Sequence, residues 1–369
     1  MNERVTGVVC IRCGSQFAVG ESTWGDGCPT CLAEGFPASV DVAYAPAFVS
    51  TPVGRARMQD FARLLPYPDY ITLGEGGTPL LTLDGAFIKY EGQNPSGSHK
   101  DRLSPLVVAR ARELNCRGVI CASSGNQGAS LALYAAAAGV PCAVITTLQI
   151  NPIWARAIST TGAKLIMVDE PKQRWRLMQQ MVTEEGWYPA TNYLDPPVGS
   201  NPFGVQGYKT ISFEIAQELG GAPNVVVVPC SRGDLLWGMW IGFQEAQALG
   251  WIASLPRMVA VEPFPRLVRV LDGEDYRGNF PGSTALSSIG GSTVTYQAVA
   301  AVRQSGGCAL AVGEADAEEA RDALGKAGFY AESSSAVVWA ANQRLRNAGW
   351  IQPGERSVLV VTSNGYKES

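Results

Sequence analysis

Short apolar runs alternate with longer amphipathic segments through the middle of the chain. Runs of about four to eight apolar residues are typical of buried strands, and apolar residues recurring every three to four positions are typical of helices. Residues 119–122 form such an apolar run, and a helical segment of small residues follows at 129–138. The pattern predicts strands at 119–122, 142–146 and 165–168, and helices at 129–138, 154–161 and 174–185.

The same alternation continues to the end of the chain. It predicts strands at 225–228, 258–261 and 358–361, and helices at 208–219, 235–249, 316–327 and 334–347. Upstream, we predict a short strand within 73–81, another at 87–91, and a connector at 37–70 with helical periodicity near 58–64. Strands that alternate with helices at this spacing form mostly parallel sheets with helices on both faces. The chain is therefore predicted to have an α/β fold.

Length and composition limit the classes of protein to which this chain can belong. A chain of 369 residues, 46% of them apolar, exceeds the usual size of a single core, so we expect two α/β domains. The net charge is −4 and there is no basic run, so we expect no nucleic-acid partner and no anionic-membrane partner. No apolar run approaches the roughly 20 residues that span a bilayer. Residues 1–7 lack a signal-peptide core, so we expect a cytoplasmic protein.

Four of the nine cysteines form two CxxC pairs near the N-terminus, Cys10 with Cys13 and Cys28 with Cys31. Two thiolates around a tight turn can face one ion, and two such turns complete a closed tetrahedral site. We predict a structural zinc ribbon over residues 1–36, with no open coordination position for catalysis. Knuckles without metal and a redox pair are the alternatives. The other five cysteines lie in apolar segments and are predicted to be small core residues.

The only histidine, His99, precedes Lys100 in the segment NPSGSHKDR at 94–102. A single imidazole leaves little scope for a His-based triad or a His-ligated catalytic metal, so proton transfer falls to lysine, tyrosine, carboxylates or a cofactor. Lys100 lies just before a helical pattern, at the positive end of the helix dipole, which lowers the pKa of its amine. Such an amine can attack a carbonyl, so Lys100 is a candidate Schiff-base residue for pyridoxal phosphate. A solvated surface lysine is the alternative.

Polar loops follow three of the predicted strands. Residues 123–127 offer hydroxyl groups, an amide side chain and backbone N–H groups at a helix N-terminus, and residues 231–234 also lead into a helix. Thr362 and Ser363 add hydroxyl groups after the last strand. Ligands bind at the carboxyl ends of parallel strands, and helix N-termini bind anions. We therefore predict a ligand site at this edge, although each loop alone could be an ordinary turn.

Five motifs then occur in order along the chain, namely LGEGGTPL at 73–80, NPSGSHKDR at 94–102, ASSGN at 122–126, NPFGVQGYKT at 201–210 and VTSNGYKE at 361–368. Together they resemble the threonine synthase branch of the fold-type II pyridoxal phosphate enzymes, over roughly residues 70–369. The zinc-ribbon-like start also resembles the N-terminus of some members. The resemblance implies a tryptophan synthase β-like body at 37–369. Its small domain would span approximately 90–200, and its large domain 70–89 and 201–369.

The resemblance implies roles for residues around the cofactor. Lys100 would hold pyridoxal phosphate covalently and, once released by substrate, act as the proton-transfer base. Asn126 would bond the phenolic oxygen, and the Thr362 hydroxyl group would face the pyridine nitrogen. A hydroxyl partner leaves that nitrogen mostly unprotonated, which suits elimination and replacement rather than transamination. The cofactor phosphate would be held by the loop that contains Ser231, Arg232, Gly233 and Asp234.

The resemblance also implies how an amino-acid substrate is held. Its carboxylate would be bound by Ser123, Ser124 and Gln127. His99 stands where the family usually has Phe, so it either stacks as that ring would or adds a polar group to the substrate site. A homodimer is expected from the same resemblance.

The phosphate loop departs from the family pattern. In threonine synthases it is rich in Gly and Asn, whereas this chain has SRGDL at 231–235, with Ser231 and Asp234 at two glycine positions. An Asp beside a phosphate dianion is repulsive by about 1–4 kcal/mol. Arg232 could offset the repulsion by bonding the phosphate. Alternatively, Asp234 could point away and pair with Arg232.

The substrate side departs further. Members that use O-phosphohomoserine bind its phosphate with an Asn-Ser pair, an Arg and a Lys, but these positions hold Val198, Gly199, Gly204 and Trp154 here. Losing several donors costs far more than the roughly 1.5–3 kcal/mol of one charged hydrogen bond. We therefore expect elimination or replacement at the β or γ carbon of a different amino acid. A threonine/serine dehydratase-type ammonia-lyase and a non-catalytic binding protein are the alternatives.

Overall fold

The N-terminal segment forms a small antiparallel sheet. The computed structural model of the protein describes residues 1–20, 22–46 and 48–368. The first elements are β1 Val5–Cys10, β2 Gln16–Phe17, α1 Pro29–Ala33 and β3 Val40–Tyr44. The strands have the order β2-β1-β3, and both pairings are antiparallel. A 3-10 helix, Met58–Leu64, lies in the connector, where helical periodicity was expected.

The next part of the chain contributes two strands to a six-stranded sheet and then forms a four-stranded parallel sheet, which we call the small sheet. From residue 80 to 189 the elements are β4 Leu80–Leu83, β5 Ala86–Tyr90, α2 Ser104–Glu113, β6 Gly118–Ala122, α3 Asn126–Ala137, β7 Cys142–Thr147, α4 Pro152–Thr160, β8 Lys164–Val168, α5 Pro171–Glu185 and β9 Trp187–Pro189. The small sheet has the order β8-β7-β6-β9. Its strands alternate faces, because Val119 and Val144 pack in one apolar cluster, while Ile120 and Ile145 pack with α5 in another.

The C-terminal part of the chain completes a six-stranded sheet, which we call the large sheet. Its elements are α6 Pro202–Val205, α7 Lys209–Leu219, β10 Val225–Pro229, α8 Asp234–Ala248, β11 Arg257–Glu262, α9 Leu267–Leu271, α10 Tyr296–Ser305, β12 Cys308–Ala311, α11 Glu314–Lys326, α12 Ser333–Asn347 and β13 Ser357–Val361. The order is β12-β11-β10-β13-β5-β4, and only β4 is antiparallel to its neighbour.

Helices cover both faces of the large sheet, as the apolar runs predict. Along β10, Val226 and Val228 belong to the apolar cluster that includes α8, whereas Val225 and Val227 belong to the cluster that includes α12. A strand buried on both faces has no polar face, which explains its run of four valines. The predicted α/β architecture with parallel sheets is confirmed. The domain boundaries near residues 90 and 200 remain predictions. Within the described ranges, no helix is long and apolar enough to cross a membrane.

Apart from the short helix α6, four labelled elements outside the N-terminal segment were not predicted from the pattern, and two of them are strands at sheet edges. The strand β9 has three residues and ends at Pro189, and β12 has four partly buried residues. Edge strands tolerate proline and carry weaker apolar patterns, because only one side is paired. The other two elements are the helices α9 and α10.

A buried ionic network anchors the segment that contains Lys100. The guanidinium group of Arg102 bonds Glu91 at 2.7 Å and also pairs with Glu214. The amine of Lys89 bonds Glu214 at 2.8 Å. All four side chains are at most 1% exposed. The network therefore ties residues 94–102 to β5 and α7, and it places Lys100 against the end of the large sheet.

Candidate active site

The carboxyl ends of the two parallel sheets converge on the segment at 94–102. The backbone N–H of His99 donates to the carbonyl of Thr362 at 2.8 Å, and Ser98 pairs with Ser363 in an isolated β-bridge. Thr362 directly follows β13, and the loop at 123–127 follows β6 of the small sheet. The structure thus brings the predicted lysine, the loop at 123–127 and the last strand together. The loop at 231–234 follows β10, beside β13 in the large sheet.

Lys100 lies in the 3-10 helix His99–Arg102, which precedes α2. Its Nζ lies 3.3 Å from the hydroxyl oxygen of Tyr208, a fully buried side chain. Burial is the largest cause that lowers the pKa of Lys100 to about 8; the charge of Arg232 lowers it further, and Asp234 and Glu332 oppose the shift. The direction of the shift agrees with the expectation from sequence, with burial as its largest cause. Lys100 is therefore suited to act as a neutral amine near physiological pH.

His99 is buried and held by the backbone. Its Nδ1 lies 3.3 Å from the Thr362 carbonyl oxygen, and its ring lies 5.5 Å from the Tyr208 ring at an interplanar angle of 35°. Burial, followed by the charge of Lys100, lowers the pKa of His99 well below its ordinary value. A neutral ring that donates from Nδ1 to the carbonyl leaves Nε2 as an acceptor. The structure therefore places the His99 ring beside that of Tyr208 and leaves Nε2 able to accept a hydrogen bond. Its role toward a substrate stays a prediction.

Asn126 lies at the centre of a hydrogen-bond network that joins the small sheet to the C-terminus. Its Oδ1 accepts from Lys367 at 2.7 Å and from Ser363 at 3.1 Å, and its Nδ2 donates to Glu332 at 2.7 Å. Glu332 also accepts a hydrogen bond from Ser288. Burial lowers the pKa of Lys367 to about 8, against the charges of Glu332 and Asp101. The network fixes the orientation of the Asn126 amide beside the segment that contains Lys100.

The hydroxyl group of Thr362 also has a defined partner. Its oxygen lies 2.7 Å from the hydroxyl oxygen of Ser335, which accepts the N–H of Ser363 at 3.0 Å. If the Ser335 hydroxyl donates to Thr362, the Thr362 hydroxyl is free to donate to a ligand. This arrangement suits an acceptor such as a pyridine nitrogen.

The three polar side chains of the loop at 123–127 differ in their contacts. Ser123 Oγ accepts the N–H groups of Gly125 and Gly128, at 3.2 and 3.1 Å, and so shapes the loop. Ser124 is exposed, and its Oγ accepts from Arg174 at 2.9 Å. Gln127 is buried, and its Nε2 donates to Ser104 of α2 at 3.3 Å. Ser124 is therefore the member of this set best placed to meet a substrate.

Asp234 points away from the start of α8. Its Oδ1 accepts the N–H of Ser200 at 2.7 Å and Nε2 of Gln297 at 2.5 Å, and its Oδ2 accepts the Ser200 hydroxyl at 2.8 Å. In the part of the chain that the structure describes, Asp234 forms no ion pair with Arg232, so the alternative in which those two residues pair is wrong. Its carboxylate is instead committed to the segment at 200 and to α10.

The loop at 231–234 has the backbone geometry of an anion site. Gly233 has φ +82, and a Cβ there would lie 2.5 Å from the Cβ of Ala298, so glycine is required. Ser231 donates its hydroxyl to the carbonyl of Gly290 at 3.0 Å. The N–H groups of Asp234 and Leu235, in the first turn of α8, have no acceptor among the described residues. A helix N-terminus with free N–H groups fits a phosphate.

Several residues of the site were missed as functional residues by sequence reasoning. Tyr208 and Lys367 lie inside two of the motifs already noted, so their presence there could have flagged them. Glu332, Ser335 and Arg174 lie outside those motifs. They reach the site only because α12 and α5 pack against the ends of the sheets, which no local pattern reveals.

The four N-terminal cysteines form a compact cluster. Their sulfur atoms all lie within 4.8 Å of one another, with 3.5 Å between those of Cys10 and Cys31 and 3.8 Å between those of Cys13 and Cys28. Zn–S bonds of about 2.3 Å in a tetrahedron place sulfur atoms about 3.8 Å apart. Backbone N–H groups of Cys13 and Cys31 point at the sulfur atoms of Cys10 and Cys28. The cluster fits a closed structural zinc site.

We expect about one zinc ion per chain in protein purified without chelators, and almost none in Cys31→Ser. The substitution removes one ligand of a closed four-thiolate site, and metal binding contributes directly to the folding of such ribbons. Metal analysis and thermal unfolding check this prediction, with a lower midpoint expected for the variant. Cys116→Ser, which lies outside the cluster, is the control. Wild-type protein without metal would contradict the assignment.

Comparisons with known proteins agree with this site. Residues 71–363 match the family described as pyridoxal-phosphate dependent enzyme. The threonine synthase of Methanocaldococcus jannaschii is 31% identical over 390 aligned residues, covering 97% of this chain and 92% of that protein. The threonine synthase of Mycobacterium tuberculosis is 33% identical over 311 aligned residues, covering 81% of this chain and 84% of that protein.

Solved structures share the fold at lower identity. A fungal L-serine ammonia-lyase from Rhizomucor miehei superposes with a TM-score of 0.65 at 21% identity, covering 78% of this chain and 93% of that one. Maize serine racemase superposes with a TM-score of 0.66 at 19% identity, covering 78% of this chain and 88% of that one. The chain therefore belongs to the pyridoxal-phosphate dependent enzymes, in the threonine synthase-like branch of fold type II, and is a lyase or synthase that uses pyridoxal phosphate.

Proposed function

We propose that this enzyme uses Lys100 to carry out elimination or replacement at the β or γ carbon of an amino acid other than O-phosphohomoserine. The observation that carries the proposal is the position of the Lys100 amine, 3.3 Å from the Tyr208 hydroxyl oxygen where the ends of the two sheets converge. The family relationship supports the chemistry, and the site's departures from the family pattern support a different substrate. A homodimer is proposed from the family resemblance, and the cytoplasmic location stays a prediction from the sequence.

The residues present fit pyridoxal phosphate. Lys100 would hold the aldehyde carbon, and the first turn of α8 would hold the phosphate on backbone N–H groups. Asn126 would face the phenolic oxygen, and Thr362 would donate to the pyridine nitrogen. When bound, the cofactor supplies the electron sink for negative charge that develops at the substrate's α carbon.

The protein's own groups move the proton. The neutral amine of Lys100, once free, can accept the α proton, because its pKa of about 8 leaves about half of the amine unprotonated at about pH 8. Tyr208 stays a phenol, because burial raises the pKa of its hydroxyl group well above the ordinary value. A phenol 3.3 Å from Nζ orients the amine without competing with it as a base. Exposed Ser124 and the adjacent backbone would bind the substrate carboxylate.

The local packing opposes a phosphate site of the kind used for O-phosphohomoserine. A Cβ at Gly204 would lie 2.7 Å from side-chain atoms of Leu103 and Val107, so the family's Arg has no room there. A Cβ at Gly199 would lie 2.6 Å from Nε2 of Gln297. Trp154 stands in the sequence where the family has Lys. The Nζ of Lys367 lies over its ring, 4.6 Å from the ring centroid, in a cation–π contact. Val198, Gly199 and Gly204 have no side-chain donors, and Trp154 offers only a neutral indole N–H, so these positions supply no charged donor for a phosphate.

A panel of amino acids tests the proposed function. The cofactor-loaded enzyme would be incubated with amino acids bearing phosphate, acetyl, hydroxyl or sulfur groups, and the products would be followed by mass spectrometry. Loss or replacement of the β or γ substituent is expected for at least one of them, and not for O-phosphohomoserine. Release of ammonia and a keto acid without a second substrate would instead assign an ammonia-lyase. A protein that stays colourless with added pyridoxal phosphate would contradict the proposal.

Uptake of pyridoxal phosphate is expected to depend on pH through Lys100. Only the neutral amine attacks the aldehyde, and the pKa of Lys100 is lowered to about 8, mainly by burial. The uptake rate of cofactor-free protein should rise up to about pH 8 and then level off, as followed by stopped-flow absorbance. An ordinary lysine, with a pKa near 10.4, would give a rate that still rises at pH 10. Such a continued rise would contradict the burial of Lys100.

A further inference from the structure

Two arginines lie near each other beside the proposed active site. Arg174 is in the first turn of α5, the helix that follows β8 of the small sheet. Arg232 follows β10 of the large sheet. The Cζ of Arg232 lies 5.5 Å from the ring centroid of Trp175, the residue next to Arg174. After burial, the charge of Arg232 is a further cause that lowers the pKa of Arg174 and that of Lys100. The pair therefore spans the space between the two sheets.

Neither arginine forms an ion pair with a described residue, although the charge of Asp234 raises the pKa of Arg232 against the effect of burial. Among the ion pairs of the described ranges, none includes Arg174 or Arg232. The Nε of Arg232 is buried without a hydrogen-bond partner. Asp234, the acidic residue closest in sequence to Arg232, has both oxygens occupied by Ser200 and Gln297.

Such an arrangement is unfavourable without an anion. Burial is the largest cause that lowers the pKa of both arginines. For Arg232 the charge of Asp234 opposes this shift and the charge of Arg266 adds to it. Contact with the Trp175 ring offsets only part of this cost. A carboxylate or phosphate can accept two parallel hydrogen bonds from each guanidinium group and cancel the repulsion between them.

The position of Arg174 distinguishes a substrate group from the cofactor phosphate. Its Nη1 donates to Ser124 at 2.9 Å, and Ser124 belongs to the loop proposed to bind the substrate carboxylate. Its Nε donates to the carbonyl of Pro171 at 3.2 Å, which fixes the side chain. The cofactor phosphate already has the N–H groups at the start of α8. An anion that contacts both arginines must therefore extend toward the substrate loop.

We propose that Arg174 and Arg232 form a clamp that binds a second acidic group, a carboxylate or a phosphate ester, on the amino-acid substrate. This inference rests on the proposed function and specifies its substrate class. The clamp is built from residues outside the positions that bind phosphate in O-phosphohomoserine-using relatives. It therefore selects a dianionic amino acid by a different route.

Matched pairs of amino acids test the clamp on the cofactor-loaded enzyme. O-phospho-L-serine is compared with L-serine, and L-glutamate with L-glutamine, by the change that each causes in the cofactor absorbance. We expect the acidic member of at least one pair to bind at least about tenfold more tightly to the wild type. Arg174→Gln and Arg232→Gln should each reduce that preference by about 10- to 100-fold, the effect of losing one charge-assisted interaction. Arg174→Lys should restore part of it.

Arg176→Gln is the matched control, because Arg176 is an exposed residue of the same helix. It should keep the wild-type preference, and pyridoxal phosphate affinity is measured for every variant. A wild type that binds neither acidic amino acid more tightly than its neutral partner overturns the clamp. So does a variant that loses pyridoxal phosphate affinity but keeps the preference, since the pair would then serve the cofactor phosphate. Absence of a cofactor band in the wild type would instead refute the proposed function itself.

Discussion

Lys100→Ala is expected to lose the absorbance band of the lysine-linked cofactor and to lose turnover. Among the described residues, Lys100 supplies the one amine that hydrogen-bonds the hydroxyl group of the buried Tyr208, and the substitution removes it. It also removes the proposed proton acceptor, and general-base groups alone contribute about 100- to 10,000-fold to a rate. Absorbance spectra of protein mixed with pyridoxal phosphate, together with turnover of the substrate found in the panel, check both effects.

Two other lysines make this test specific. Lys367 is the second amine near the site, with a pKa also lowered to about 8, but its Nζ donates to Asn126 and to the carbonyl of Ser96. Lys367→Met should therefore keep the lysine-linked band, while Lys164→Ala, at an exposed position of β8, should keep both the band and the activity. A band that persists in Lys100→Ala and disappears in Lys367→Met would show that the wrong lysine was assigned.

Arg102→Met is expected to destabilise the protein by about 3–5 kcal/mol. Arg102 is fully buried and pairs with Glu91 and Glu214, so its removal leaves two buried carboxylates with less compensation. Lys89 still bonds Glu214, but Glu91 has no other ion pair within the described ranges. Denaturant unfolding, with both proteins measured in the same cofactor concentration, gives the difference in free energy of unfolding.

Arg117→Met is the control for this prediction. Arg117 pairs with Glu185 at 2.8 Å, but the two side chains are 58% and 40% exposed. Solvent-exposed ion pairs contribute about 0–1 kcal/mol, so this variant should remain close to the wild type. If Arg102→Met lowers the free energy of unfolding by less than about 1 kcal/mol, the buried network does not hold the segment at 94–102 in place.

The central strands were predictable from sequence because they are buried on both faces. The valines at 225–228 leave no face for polar residues, and the observed β10 extends the predicted strand by one residue. The edge strands β9 and β12 were not predicted. They have only three and four residues and pair with a neighbouring strand on one side, so their hydrophobic pattern is short and weak. The hydrophobic pattern therefore predicted the strands that lead into the loops of the site, but it did not predict these two edge strands.

The site was only partly predictable, for a related reason. Lys100, Asn126 and Thr362 lie in local motifs, and the structure brings them to one sheet end. The contacts of Asp234 depend on Ser200 and Gln297, which are 34 and 63 residues away along the chain. Contacts of that range are set by tertiary packing, so sequence left two alternatives for Asp234, and the one in which it pairs with Arg232 is wrong.

The most direct test of the account is to find which residue carries the cofactor. Borohydride reduction of the cofactor-loaded protein makes the lysine linkage permanent, and peptide mass spectrometry then locates the pyridoxyl group. The account predicts that group on the peptide containing Lys100 and on no other lysine. A label on Lys367 or elsewhere, with Lys100 unmodified, would contradict it.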